Sequence, residues 1–114
     1  MSIQTFAPII KAGELAEGHS KTFSFTKDGA KTEGFVIRFQ GEFFAYINRC
    51  PHTAQPLDED RDGMFNADHS HLYCDEHAAL FNPRTGVCVS GPCPIGPLTK
   101  LPIAVQDGII YLVA

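Results

Sequence analysis

The sequence predicts an all-β protein, and three observations carry that prediction. Short runs of β-branched and aromatic residues recur along the chain. Ten glycines and eight prolines punctuate its 114 residues, most of them between those runs. Helical periodicity is nearly absent. Several short strands separated by turn signals indicate a sandwich or barrel.

The elements follow in chain order. Ala12-Gly13-Glu14-Leu15-Ala16-Glu17-Gly18 is the one helix candidate, short and flanked by glycine. Thr22-Phe23-Ser24-Phe25 alternates in the manner of a half-buried strand and is closed by the turn signal Lys27-Asp28-Gly29. Phe35-Val36-Ile37-Arg38-Phe39, then Gln40-Gly41-Glu42, then Phe43-Phe44-Ala45-Tyr46-Ile47 reads as a hairpin. A second hairpin is predicted where Asp107-Gly108 joins Ile103–Gln106 to Ile109–Val113, because Asp-Gly favours the turn whose twist matches paired strands. No internal repeat or low-complexity tract is visible.

A chain of 12.5 kDa is one domain, able to bury roughly two-thirds of the surface it exposes when unfolded. An apolar fraction of 44% and a charged fraction of 19% are globular values. A net charge of −4 argues against nucleic acid or an anionic membrane as the main partner. The longest strongly apolar run, Ile109 to Ala114, is far short of the ~20 residues a membrane span needs. The first residues show no basic or apolar leader, so a cytoplasmic protein is expected. In that compartment the four cysteines are expected as thiols or metal ligands rather than a disulfide framework.

The middle of the chain differs from its ends. Residues 50 to 98 hold all four cysteines, four of the five histidines and most of the prolines. An acidic run, Asp58-Glu59-Asp60-Arg61-Asp62, lies there too. Cys50-Pro51-His52 and Cys74-Asp75-Glu76-His77 each place one thiol and one imidazole on a tight segment, with 21 residues between them. Two sulfur and two nitrogen ligands suit a tetrahedral zinc or a [2Fe–2S] cluster with Cys₂ on one iron and His₂ on the other. The one-residue gap between Cys50 and His52 is unusual for a structural zinc knuckle and suits two separate irons. Buried thiols with surface histidines nearby would be the plain structural reading of the same residues.

Other candidates read as structural. Cys88 and Cys93 are expected as small buried thiols under a proline-rich loop, not as a redox pair or further ligands. His69 and His71 would face away from Cys74 on an extended strand and are expected to be solvated, as is His19. No phosphate loop, nucleophile elbow or distinctive carboxylate pair is present to suggest an enzyme active site.

Cys50-Pro51-His52-Thr53-Ala54-Gln55-Pro56-Leu57, Leu72 to Phe81, Pro83-Arg84-Thr85-Gly86, Gly91-Pro92-Cys93-Pro94 and Pro97-Leu98 together resemble the Rieske-type ferredoxins. The resemblance spans roughly residues 35 to 114. It implies an antiparallel β-sandwich base (1–48 and 99–114) and a two-loop cluster-binding subdomain (49–98). It also implies a [2Fe–2S] cluster with Cys50 and Cys74 on an inner iron and His52 and His77 on an outer iron near the surface. The implied role is one-electron transfer from a flavin reductase to a terminal oxygenase. A small Rieske subunit of a larger reductase, of nitrite reductase type, is the alternative. A zinc-stabilised interaction module is the alternative of another class.

The departures from the family pattern bear on potential. Asp75 and Ala78 stand where the second loop often has proline and glycine, and Gln55 and Glu76 where higher-potential members have a pair of cysteines. Ala79 and Phe81 replace a serine and a tyrosine of those members. With no such hydroxyl and with acidic residues inside the loop, a potential near ~ −150 mV is expected. The partner is expected to dock over the two histidines with a basic face.

Overall fold

A computed structural model describes residues 6–27, 29–48, 65–66, 70–74, 79–90 and 97–113. Among the described residues, ten strands make three antiparallel sheets: β1 (Phe6–Lys11), β2 (Ser20–Lys27), β3 (Ala30–Phe39), β4 (Glu42–Ile47), β5 (Leu72–Cys74), β6 (Ala79–Phe81), β7 (Cys88–Ser90), β8 (Lys100–Leu101), β9 (Ile103–Gln106) and β10 (Ile109–Val113). The outer sheet has order β1-β10-β9, the middle sheet β2-β3-β4-β8, and the small sheet β5-β6-β7. The all-β prediction therefore holds. Residues 12–14 form a single 3-10 turn, all that remains of the expected helix.

Both predicted hairpins are present, and the turn chemistry explains them. Gln40 and Gly41 have φ of 54° and 79°, and Asp107 and Gly108 have 52° and 75°. Positive φ at both central residues is the geometry that lets two strands keep their twist across a two-residue turn. The Glu17 carboxylate accepts hydrogen bonds from the Gly41 and Gln40 amides at 2.8 and 2.6 Å. Those amides, with a smaller contribution from Arg38, hold the Glu17 carboxyl below the usual carboxylate range.

The middle sheet is a wall with a core on each face. Along β3 the residues Gly34, Phe35, Val36 and Ile37 are all buried, a pattern that only a strand covered on both sides can show. Phe35 and Ile37 point one way, joining Tyr46, Leu72, Ala79, Phe81 and Leu98 in the core beneath the small sheet. Val36 points the other way, with Ala45, Leu15, Leu101, Ile110 and Leu112 beneath the outer sheet. The β3–β4 register keeps the faces consistent, pairing Phe35 with Tyr46 and Val36 with Ala45. Fully burying each valine, leucine, isoleucine or phenylalanine among them contributes ~1.5–3 kcal/mol, so the two cores hold the three sheets together.

β1 was not legible in the sequence. Pro8 lies within it, which demotes a run to an edge position, and β1 is indeed an edge strand with a bulge between Pro8 and Ile10.

Candidate metal centre

The expected ligands Cys50, His52 and His77 lie outside the described residues, as do His69, Cys93 and the acidic run. Cys74 is described through its backbone, as the last residue of β5. The described residues fix the roots from which both ligand segments depart.

The first root is the end of β4. Ile47 donates its amide to Thr99 O at 2.9 Å. Asn48, only 6% exposed, donates its backbone amide to Glu33 O at 2.9 Å and its side-chain amide to Glu33 Oε1 at 2.7 Å. A buried amide side chain needs such partners, since leaving it unpaired would cost ~1–3 kcal/mol. Chain direction is thus set two residues before Cys50.

The second root is the approach to β5. Phe65 bridges Leu72, and its ring stacks on Phe39 with centroids 6.1 Å apart. Asn66 Oδ1 accepts from the Ser70 and His71 amides at 3.0 and 3.1 Å, while the Asn66 amide donates to His71 O at 2.9 Å. Ser70 Oγ lies 2.9 Å from His71 Nδ1. His71 is therefore half-buried and hydrogen-bonded in the bend before β5, not solvated on the strand as expected. The strand begins at Leu72 because Asn66 takes up the amides of residues 70 and 71, leaving the ladder to start after them.

The β5–β6 pairing then places Cys74 directly opposite Ala79. Four residues, 75–78, connect them, and His77 is the third. A cysteine at the strand end with a histidine three residues further along the sequence fits the donor set of a Cys₂His₂ cluster.

A clamp joins the small sheet, through its β6–β7 connection, to the wall behind it. Tyr46, fully buried on β4, donates its hydroxyl to Pro83 O at 2.8 Å. Burial pushes its phenol pKa up. Asn82 Oδ1 accepts from the Arg84 amide at 2.8 Å, and Asn82 O from the Gly86 amide at 2.7 Å. Gly86 has φ of 77°, and a Cβ there would lie 2.8 Å from Tyr46 Cε1. Glycine is thus required for both conformation and approach. Arg84 reaches back along β4 to Glu42 at 2.6 Å and to Gln40 Oε1 at 3.0 Å. Sequence reasoning missed Tyr46, Asn48 and Asn66. Only Asn66, a turn-forming residue four before a serine, left a local signal.

Cys88 corrects an expectation. It is half-buried against the small-sheet core as predicted, but its sulfur is in a disulfide. The spacing of the cysteines does not reveal this, because a disulfide depends on which sulfurs the fold brings together.

Two segments rooted on a shared β wall, each with a cysteine and a histidine in its sequence, place this chain among small iron–sulfur β proteins. Comparison with known proteins narrows that class. The chain belongs to the Rieske [2Fe-2S] domain family, whose model matches residues 5–102. It is 32% identical over 99 residues to the 3-phenylpropionate/cinnamic acid dioxygenase ferredoxin subunit of Photorhabdus laumondii subsp. laumondii, covering 87% of this chain and 85% of that one. Among solved structures, the ferredoxin of carbazole 1,9a-dioxygenase from Nocardioides aromaticivorans IC177 superposes with a TM-score of 0.72 at 26% identity, over 95% of this chain and 96% of that one. A complex of reduced oxygenase and oxidized ferredoxin in carbazole 1,9a-dioxygenase contains a chain matched with a TM-score of 0.74 at 25% identity, over 94% of this chain and 91% of that one. The protein carries a [2Fe–2S] cluster and is an electron carrier rather than an enzyme, so the zinc-module alternative falls. Among the described residues no helix is long and apolar enough to cross a membrane.

Proposed function

We propose that this chain accepts one electron from a reductase and delivers it to a terminal oxygenase, in the cytoplasm. Cys50 and Cys74 hold one iron of its cluster and His52 and His77 the other. When bound, the cluster supplies one-electron chemistry. The protein's part is to root both ligand segments rigidly and to bring the histidine side of the cluster to the surface. Residues 49–98 act as the cluster-binding subdomain on a base of 1–48 and 99–114.

The observation that carries the ligand assignment is the register of β5 and β6, which sets Cys74 at a strand end opposite Ala79 with His77 in the connection. Support for the oxygenase system, over one of nitrite reductase type, comes from relatives named as dioxygenase ferredoxins. Cys50→Ser or Cys74→Ser is expected to abolish the visible and EPR signature of the cluster, and Cys88→Ser to keep it. Retention of the signature in both ligand variants would overturn the assignment. Stopped-flow mixing with a flavin reductase and then an oxygenase is expected to show reduction followed by reoxidation; failure of the second step would overturn the oxygenase role.

A further inference from the structure

An open groove of about 490 Å³ lies where the middle sheet gives way to the outer one, lined by β4 residues 43–45 and by residues 100–103. We propose that this groove docks an extended segment of another protein, which adds a strand beside β4 with apolar and acidic side chains in alternation.

The backbone supplies the first reason. β8 pairs with β4 at Tyr46–Lys100 and Ala45–Leu101 and goes no further. Pro102 stops it, because proline has no amide to donate and its carbonyl accepts instead from the Val113 amide of β10 at 3.0 Å. The chain thus leaves the middle sheet for the outer one. Ile47 donates its amide to Thr99 O on the β8 side, so by alternation the amide and carbonyl of Phe43 face that side too. Among the described residues Phe43 has no ladder partner there. An edge left open in this way is a template for an added strand.

The two faces of that strand meet different chemistry. Toward the outer sheet, Phe43 and Ile103 are only half-buried and Val105 is 49% exposed. Val105 lies directly opposite the fully buried Ile110, on the inner face of the outer sheet, so it overhangs the place where the middle sheet stops. An apolar side chain of the added strand covers it. Toward the small sheet, Lys100 Nζ and the Arg84 guanidinium sit 5.3 and 5.6 Å from the centre of the Phe44 ring. Arg84 is paired with Glu42, whereas Lys100 is exposed and donates to Arg84 O at 3.4 Å. Among the described residues no carboxylate neutralises that ammonium. A carboxylate of the added strand does so by a charge-assisted hydrogen bond. Because side chains alternate along a strand, the groove selects an apolar residue at one parity and an acidic one at the other.

Phe43 stands five residues before Asn48, about 16 Å along the strand from the first ligand root. The occupant holds a partner without touching that root, and the proposal does not rest on the ligand assignment.

The test titrates isotope-labelled holoprotein with the peptide acetyl-Glu-Val-Glu-Val-Glu-amide, with acetyl-Lys-Val-Lys-Val-Lys-amide as control, and follows backbone amide NMR signals. Saturable shifts of residues 42–44 and 103–105 are expected with the acidic peptide, with exchange of the Phe43 amide slowed at least threefold. Lys100→Glu is expected to weaken the acidic peptide at least tenfold and to favour the lysine peptide, while Val105→Ser weakens both. Both side chains are exposed, so the variants are expected to fold. Unmoved amides, equal shifts by the two peptides, or shifts that survive both substitutions would overturn the proposal. Light scattering addresses a second copy of the chain as occupant: a dimer whose dissociation speeds exchange of the Phe43 amide would overturn it as well.

Discussion

Replacing Tyr46 by phenylalanine isolates the clamp between the wall and the small sheet. The ring is fully buried and phenylalanine fills nearly the same space, so no large cavity opens and no apolar contact is lost. What disappears is the 2.8 Å hydrogen bond to Pro83 O, leaving a buried carbonyl without that donor. An ordinary buried hydrogen bond contributes ~1 kcal/mol net, and an orphaned partner costs ~1–3 kcal/mol. A destabilisation of about 1–2 kcal/mol follows. For a chain of 114 residues each kcal/mol lowers the melting temperature by about 4 °C, so a fall of roughly 4–8 °C is expected. Because a bound cluster complicates any single midpoint, the holoprotein should be melted with far-UV circular dichroism and cluster absorbance recorded together. Both are expected to shift by the same amount, since the clamp links sheet to hairpin. An unchanged midpoint, or a shift of the dichroism alone, would refute the reasoning.

Three more outcomes are expected. With its phenol pKa raised by burial, Tyr46 binds its proton more tightly when folded. Its contribution to stability is complete below the ordinary value of about 10 and declines as pH rises through the higher folded value. Urea midpoints of wild type should thus fall more steeply above pH 10 than those of Y46F, and parallel curves would contradict this. Ala79→Ser puts a hydroxyl on the buried cross-strand partner of Cys74 and should raise the reduction potential in a redox titration; no change would show that this position does not reach the cluster's sulfurs. Neutralising Asp58, Glu59 and Asp60 together should flatten the ionic-strength dependence of electron transfer to the partner, measured across ~0.1 M salt, where the Debye length is about 10 Å. A slope equal to that of wild type would remove the acidic run from docking.

What the sequence disclosed was local. The β3–β4 and β9–β10 hairpins are written in adjacent residues, as two-residue turns that need positive φ between apolar runs. The expected metal-ligand pairs are equally local in the sequence, and their family likeness makes them conspicuous. The rest depends on contacts between distant residues. β1 carries a proline and becomes a strand through pairing with β10. The wall with two cores is compressed into the four buried residues 34–37, which alternation alone would read as one face. The Asn48–Glu33 and Tyr46–Pro83 hydrogen bonds cross 15 and 37 residues, and no pattern in either neighbourhood announces them. The Cys88 disulfide is likewise set by the fold and not by composition.

The pairing of Phe6 with Val113 has a consequence for synthesis. β1 leaves the ribosome ~100 residues ahead of its neighbour β10. At ~5–20 residues per second this is a wait on the order of 5–20 s. The β2-β3-β4 meander needs no such delay, nor does the small sheet, whose strands lie within residues 72–90. The small sheet can therefore cover its side of the wall before β9 and β10 emerge, while the opposite side, with Val36 and Ala45, still awaits its cover. During that interval the growing chain presents an apolar sheet face to the cell, making this stage the one at which a chaperone has most to hold.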